Sequence, residues 1–210
     1  QPATTILPPG TTGRKEFDAL GTGGTKTEPD KAKELLKKAG KEGFVVKFLY
    51  RTDNPQTVAF KDQVVKALKD AGFKASPIAT TEAKFREDLS DASSPQNVRK
   101  LSWCSDWPTG GAWFPAQWDG DLVGKAGMTN RSAFKEADAD KRLDHILDTM
   151  SGAKAANAWG KFDKFIMEKY FPAIPIGYSG VAMLHGSKVG GMVNNNVYGM
   201  PNFSNMYVAR

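Results

Sequence analysis

An aspartate between two tryptophans is the part of the sequence whose residue types best fit a binding function. Asp106 lies between Trp103 and Trp107 in the run Leu101-Ser-Trp-Cys-Ser-Asp-Trp-Pro-Thr-Gly-Gly111. A carboxylate that is partly removed from water needs a counter-charge, because an isolated buried charge is costly. A ligand ammonium between flat apolar rings can supply it, and an internal salt bridge to Lys or Arg is the alternative. The segment therefore predicts a site for an organic amine.

Further aromatic side chains follow directly. Trp113, Phe114 and Trp118 are separated by Gly and Pro from the first pair and lack the three- and four-residue spacing of a buried helix stripe. On irregular backbone, where functional residues concentrate, such rings can line a binding wall. They can equally plug a junction between two lobes, and both interpretations stay open. Trp113 is taken with Trp103 and Trp107 as a candidate ligand-binding residue.

Strands and helices alternate before this segment. The patterns predict a helix over 29–39, a strand over 44–50, a helix over 55–71, a strand over 73–78, a helix over 81–89 and a strand over 98–103. This order requires crossover connections and favours an α/β fold with a partly parallel sheet. Ligands bind at the carboxyl ends of such strands, which is where Asp106 falls. Arg51, just past the first strand, is a candidate partner for a ligand carboxylate, although a surface role is the simpler explanation for it.

The flanking parts are less regular. Residues 1–27 are rich in Pro, Gly and Thr and are predicted to be a loop over a larger body. After Trp118 the patterns predict helices over 133–150 and 153–170, strands over 173–176 and 180–184, and a short extended piece over 205–208.

Composition excludes several partners. The net charge is +6, but the lysines of the predicted helix at 31–41 share it with Leu35 and Leu36, which is typical of a solvated helix face. Because no aromatic side chains interleave with these lysines, nucleic acid is not expected as a partner. No apolar run approaches the length of a membrane span. The chain has no start methionine or signal segment, and we interpret it as part of a longer protein.

Residue patterns for catalysis or metal binding are weak. His145 and His185 have no Ser or Cys partner in a recognisable motif. Asp140, Asp144 and Asp148 share a helix face, but adjacent basic residues favour a solvated face over a metal site. No enzyme activity, cofactor or metal is therefore predicted. The single cysteine, Cys104, excludes an internal disulfide and is expected to be a buried free thiol.

Four landmarks in order carry a family resemblance over essentially the whole chain. They are Pro2-Ala-Thr-Thr-Ile-Leu-Pro-Pro-Gly10, the helix Asp30-Lys-Ala-Lys-Glu-Leu-Leu-Lys-Lys-Ala-Gly40 with the strand Phe48-Leu-Tyr50, the tract Ser102-Trp-Cys-Ser-Asp-Trp107, and Val189-Gly-Gly with Asn205-Met-Tyr-Val208. The chain resembles the C-terminal half of the family 5 extracellular solute-binding proteins, the oligopeptide- and dipeptide-binding components of bacterial ABC importers.

The resemblance implies a periplasmic-binding-protein-like (type II) lobe with a mixed sheet flanked by helices. Residues 1–188 would form the second lobe, and residues 189–210 would cross back toward a first lobe. It also implies an exported, cell-surface or periplasmic location, often with a lipid anchor, and permease subunits as partners.

The resemblance further assigns roles within the tract. Asp106 would pair with the peptide's α-amino group, Trp103 would wall the ligand, and Cys104 would fall where some members have a disulfide cysteine. Trp107 stands where Tyr is commoner, and Pro108-Thr109-Gly110 replaces an acidic-Pro turn. These departures leave the ligand's identity open.

Three alternatives to a peptide binder make different structural demands. A binder of an oligosaccharide or metal chelate would share the fold. A hydrolase would require His145 or His185 within hydrogen-bond reach of Asp106. A structural adaptor would bury Trp103 and Trp107 and pair Asp106 internally.

Overall fold

The computed structural model describes residues 1–21, 23, 25–91, 93–180, 182–195 and 198–209. The chain divides into two units, one of residues 26–102 and 117–135 and the other of residues 1–25, 103–116 and 136–210. We call them the strand unit and the helical unit.

Among the described residues up to 91, the strand unit has two parallel strands and three α-helices. Its elements are α1 (Pro29–Lys38), β1 (Val45–Arg51), α2 (Pro55–Asp70), β2 (Lys74–Thr80) and α3 (Glu82–Ser90). β1 pairs with β2 in parallel, from Val45 opposite Lys74 to Arg51 opposite Thr80. Because α2 makes the crossover between them, the predicted strand–helix–strand order and the α/β fold class are confirmed.

The start of α2 follows from local sequence. The Asn54 side chain accepts hydrogen bonds from the backbone N–H groups of Gln56 (2.9 Å) and Thr57 (3.3 Å), and Pro55 occupies the first turn. An Asn cap satisfies N–H groups that have no partner within the helix, and Pro loses nothing at this position.

The predicted third strand over 98–103 is wrong beyond its first residue. Val98 forms a single parallel bridge to Phe48, and no described residue from 99 to 103 belongs to a strand. Just before the bridge, the Asn97 side chain also bonds to β1: its Oδ1 accepts the N–H of Lys47 and its Nδ2 donates to the carbonyl of Val45, both at 2.8 Å. The backbone N–H groups of Asn97 and Val98 donate to the Lys47 carbonyl, and the pairing with β1 does not extend past Val98.

The predicted helix over 133–150 begins four residues late. Residues 130–134 are held in a loop by Asn130, whose fully buried side chain donates to the Phe134 carbonyl (2.7 Å) and accepts the Phe134 N–H (3.1 Å). This amide competes with the helix for the backbone groups that a first turn would use.

The helical unit has a core of aromatic and aliphatic side chains. A short helix, α4 (Phe114–Trp118), begins in this unit, and α5 (Ala137–Thr149) and α6 (Gly152–Lys169) follow. Phe114 stacks on Trp159 and meets Phe162 edge-on, at ring-centroid distances of 5.8 and 5.1 Å. The three-residue spacing of Trp159 and Phe162 places both rings on one side of α6.

Residues 1–14 belong to this unit and pack against its helices without forming a helix themselves. Leu7 is fully buried, and the carboxylate of Asp163 on α6 accepts the backbone N–H groups of Ile6 (3.2 Å) and Leu7 (3.0 Å). Arg14 donates to the Leu7 carbonyl (2.8 Å), and its guanidinium lies over the ring of Tyr178. Hydrogen bonds between side chains and the backbone therefore hold residues 6 and 7 in place of the backbone pairing that a strand would have.

The strands predicted over 173–176 and 180–184 are also wrong. Residues 173–176 are not in a strand, and neither are residues 180 and 182–184; residue 181 lies outside the described part. Pro172 and Pro175 have no N–H to donate to a ladder. Among the described residues of this stretch, Gly177 alone forms a β-bridge, to Pro2.

The C-terminal stretch has two small antiparallel ladders. β3 (Val189–Gly190) pairs with β6 (Tyr207–Val208), and β4 (Asn194–Asn195) pairs with β5 (Met200–Pro201). Of the predicted extended piece over 205–208, Tyr207 and Val208 form β6, whereas Asn205 ends a 3-10 helix (Phe203–Asn205). The lobe boundary after residue 188 stays a prediction.

Asp163 makes stability depend on pH. Burial raises the pKa of its carboxyl from 3.8 to about 6, although the N–H groups of Leu7 and Ile6 and the charge of Arg14 act in the opposite direction. Between these values the folded state binds more protons than the unfolded state, so stability decreases as pH rises.

We expect the free energy of unfolding of the full-length protein, measured relative to its Asp163→Asn variant, to fall as pH rises from about 4 to about 6 and to level off near pH 7. The change should approach about 3 kcal/mol, since one pKa unit corresponds to 1.36 kcal/mol. Urea unfolding at pH 4, 5, 6 and 7 measures it. The Asn side chain does not titrate. The hydrogen-bond acceptor lost on replacing the Asp163 carboxylate therefore changes the difference in free energy of unfolding by the same amount at every pH. A difference that is constant or grows with pH would contradict this assignment.

Candidate functional site

The segment from Trp103 to Asp106 alternates between inward and outward side chains. Ser105 is buried, Trp103 is half-buried, and Cys104 and Asp106 are exposed. Burial thus alternates from residue to residue, with Ser105 turned inward and its neighbour Asp106 turned outward at a bend of the chain.

Two indole N–H groups close this segment into a loop. Trp103 Nε1 donates to the carbonyl of Ala112 at 2.7 Å, and Trp113 Nε1 donates to Oγ of Ser105. The bonds join positions nine and eight residues apart, so that the loop from Asp106 to Gly111 has both its ends held.

The far side of the loop rests on two other parts of the helical unit. Thr12 bridges to Thr109, and its N–H donates to the carbonyl of Pro108 at 2.8 Å. Gly110 lies directly on α6: a Cβ placed on it would be 2.4 Å from the Cβ of Trp159. The loop is thus shaped by packing as well as by hydrogen bonds.

Asp106 is the chemically available group of this loop. Its side chain is exposed, and within the described residues it has no hydrogen-bond or ion-pair partner. A carboxylate displayed on a braced loop can accept a charge-assisted hydrogen bond from a ligand cation.

The three candidate tryptophans differ in exposure. Trp107 is 49% exposed and Trp103 is half-buried, whereas Trp113 is 9% exposed. Parts of the Trp107 and Trp103 side chains, on either side of Asp106 in the sequence, are therefore accessible to a ligand. Most of the Trp113 ring is already covered, and Phe114 belongs to the core of the helical unit.

Arg51 lies in the strand unit and already has partners there. Its guanidinium pairs with the carboxylate of Glu82 and lies 5.9 Å from the centre of the Phe85 ring. The structure gives Arg51 a local role, and its predicted role toward a ligand carboxylate stays a prediction.

The expectation for Cys104 is wrong. Cys104 is exposed, not buried, because the inward positions on either side of it are taken by Trp103 and Ser105. The role of this position that the resemblance implies stays a prediction.

Neither histidine meets the requirement for a hydrolase. His145 lies 3.3 Å from the hydroxyl of Thr149 on its own helix, and His185 lies 3.1 Å from the neighbouring Gly186 carbonyl. In the part of the chain that the structure describes, neither hydrogen-bonds to Asp106. The adaptor's requirement also fails, because Trp107 is half exposed and Asp106 is not paired internally with any described residue.

The described residues contain no group of three or more His, Cys, Asp and Glu side chains placed to hold a metal ion. Among the helices described, none combines the length and apolar character needed to cross a membrane.

Sequence reasoning missed Ser105 and Thr12. A lone Ser between two candidate residues carries no motif, and the bridge from Thr12 to Thr109 joins distant parts of the chain. The signal that was available is the two-residue spacing of Trp103 and Ser105, which would place both side chains on the same side of a strand.

Comparison with solved structures identifies the fold. Over 99% of its length, the chain matches clavulanic acid biosynthesis oligopeptide binding protein 2 with a TM-score of 0.84 and 20% identity, covering 38% of that chain. It matches the periplasmic binding protein DppA from Helicobacter pylori, in complex with the peptide STSA, over its whole length with a TM-score of 0.72 and 19% identity, covering 39% of that chain.

A third similar structure holds a different ligand. The binding protein MoaA from A. tumefaciens R10, in complex with mannopinic acid, matches the whole chain with a TM-score of 0.68 and 17% identity, covering 42% of that protein. No protein-family model and no curated protein sequence matches the chain.

These comparisons define the class of fold. The chain has the α/β fold found in about two fifths of each of these binding proteins, and the predicted periplasmic-binding-protein-like fold is confirmed. Four sequence landmarks carry the resemblance to peptide-binding components of ABC importers. The comparisons confirm this resemblance at the level of fold.

The contact of Gly110 with α6 yields a test of the loop's packing. We expect Gly110→Ala to lower the free energy of unfolding by about 1–3 kcal/mol, the usual cost of forcing an extra methyl group into packed surroundings. Chemical denaturation measures this loss.

Gly111→Ala is the matched control. A Cβ at Gly111 would meet its nearest atoms, Nε1 of Trp107 and of Trp159, at 3.4 Å, which leaves room for it. Its effect should be clearly smaller, and equal losses in the two variants would contradict the described packing.

Proposed function

We propose that the chain is the second lobe of an extracytoplasmic solute-binding protein that binds peptides for import by an ABC transporter. In this proposal Asp106 pairs with the peptide's α-ammonium group, and Trp103 and Trp107 line the ligand beside it. One observation carries the proposal: Asp106 is an exposed carboxylate on a braced loop, unpaired among the described residues and flanked by available indole rings.

The chemistry of the loop suits an amino terminus. An ammonium group has three N–H donors and a positive charge, and a carboxylate offers acceptors and the opposite charge. Such charge-assisted hydrogen bonds are stronger than neutral ones. Indole rings beside the carboxylate give the adjoining organic part of the ligand apolar contact area, and their faces attract cations.

The similar folds support the same ligand class. The chain's fold matches parts of an oligopeptide binding protein and of a DppA structure that holds a peptide. Both are named as binding proteins and not as enzymes, which supports a function without catalysis.

A non-peptide solute is the second candidate. The match to MoaA with mannopinic acid favours it, because the same fold there holds a ligand other than a peptide. Indole rings also suit sugars. The two candidates differ in what Asp106 must meet, since a peptide binder needs a free amino group.

The domain assignment belongs to the same proposal. Residues 189–210 would cross toward a first lobe, and positions 196, 197 and 210 of this stretch lie outside the described residues. Exposed apolar side chains support it: Phe203 and Val208 are 68% and 78% exposed, and Leu184, just before the stretch, is 99% exposed. Side chains of this kind are usually covered by another surface in the working protein.

The partners and location follow from the same reasoning. A peptide-binding component would work outside the cytoplasm, attached through a lipid anchor and docking to ABC permease subunits. Each of these is part of the proposal.

Calorimetry of the full-length protein with tri- to pentapeptides tests the proposal. We expect N-acetylation of the peptide to weaken binding about 100-fold, and Asp106→Asn to do the same for the free-amine peptide. Loss of one member of a close charge pair typically costs about 2–5 kcal/mol.

Asp148→Asn is the matched control. Asp148 is also exposed, lies in the last turn of α5, and undergoes the same change of charge. It should leave affinity unchanged. Equal binding of free and acetylated peptides, or an effect of Asp148→Asn equal to that of Asp106→Asn, would overturn the role of Asp106.

Arg51 is tested with the other end of the peptide. If it pairs with the ligand carboxylate, Arg51→Met should remove the protein's preference for a free-acid peptide over a C-terminally amidated one, because Met keeps the length but not the charge. A preference that is unchanged in the variant would leave Arg51 only its pair with Glu82.

A further inference from the structure

We propose that Ser105 and Trp113 form a positioning pair that sets the orientation of Asp106 toward the ligand's ammonium group. This inference rests on the proposed function. It gives Trp113 a role other than that of a ligand wall and adds Ser105, which has no ligand contact of its own.

The position of Ser105 links the pair to Asp106. Ser105 is 6% exposed, and its hydroxyl accepts the indole N–H of Trp113. One peptide unit separates it from Asp106. Burial alternates along this stretch, with Ser105 buried and its neighbours Cys104 and Asp106 exposed, so a bond that keeps the Ser105 side chain inward also keeps Asp106 on the outer side.

Trp113 is suited to act as the fixed member of the pair. Its ring is 9% exposed, and its backbone N–H donates to the Gly110 carbonyl at 2.9 Å. A buried indole N–H without an acceptor is costly, so the Ser105 hydroxyl and this ring depend on each other.

The Trp103 bond limits the remaining freedom of the loop. Trp103 Nε1 donates to the Ala112 carbonyl, and Trp113 Nε1 donates to the Ser105 hydroxyl. Two hydrogen bonds therefore connect the residues that precede the loop of residues 106–111 to those that follow it. The loop is therefore ordered before a ligand arrives, and binding does not have to supply that ordering. Removing one tie should loosen Asp106 without removing its charge.

The test uses variants that delete the bond from either side. Ser105→Ala removes the hydroxyl, and Trp113→Phe removes the indole N–H while keeping an aromatic ring. We expect each variant of the full-length protein to bind a free-amine tripeptide about tenfold more weakly in calorimetry, a tenfold change being about 1.4 kcal/mol. The double variant should be no weaker than the worse single variant, since both changes delete one bond.

Selectivity separates positioning from general damage. The ratio of dissociation constants for the acetylated and free-amine peptides should fall about tenfold in Ser105→Ala and Trp113→Phe, because only the contact with the amino group depends on Asp106. Ser105→Thr keeps a hydroxyl and should restore both affinity and selectivity.

Thr80→Val is the matched control for a lost buried hydroxyl. Thr80 is 8% exposed, lies in the strand unit, and donates to the Asp88 carboxylate at 2.7 Å. It should lower stability without changing the selectivity ratio.

The outcomes distinguish the two claims. If Asp106→Asn has no effect, the proposed function fails and this inference fails with it. If Asp106→Asn weakens binding but both deletion variants keep full affinity and selectivity, only the positioning pair is overturned. Additive losses in the double variant, or equal losses for free and acetylated peptides, would also overturn it.

Discussion

The loop that displays Asp106 depends on one physical requirement: indole N–H groups that are wholly or partly buried must find acceptors. Trp103 and Trp113 both satisfy this requirement within the same short stretch, at the Ala112 carbonyl and the Ser105 hydroxyl. Because these acceptors lie across the loop from their donors, meeting the requirement closes the loop. A segment whose regular structure is one 3-10 turn, Gly110–Ala112, thereby gains a defined shape, and an exposed carboxylate can be held in place.

Helix α6 supports both the loop and the beginning of the chain. Trp159 leaves space only for glycine at position 110. One turn further along, Asp163 holds the backbone of Ile6 and Leu7. The same helix contributes Phe162 to the aromatic core. The site therefore stands on the helix that carries the aromatic core of the helical unit, while Asp106 and Trp107 themselves are exposed.

Local signals predicted the regular elements well, and long-range contacts decided the exceptions. The parallel pair β1 and β2 and the start of α2 at Pro55 follow from β-branched runs, helical spacing and an Asn cap. The strand predicted over 98–103 is reduced to a single bridge at Val98, beside which the Asn97 side chain bonds to β1. The start of α5 was misplaced because Asn130 binds both backbone groups of Phe134. Asn side chains commonly bond to backbone groups in place of a helix or a strand, but the tertiary structure decides which backbone groups they reach.

The sequence by itself determined the α/β class and singled out Asp106 between two tryptophans, because periodicity and residue chemistry are local properties. Only the tertiary structure decided which rings remain available and which are buried. Trp113 and Trp107 have the same side chain, yet one bonds to Ser105 and is covered while the other is half exposed. That difference depends on where distant chain segments pack, and no spacing rule contains it.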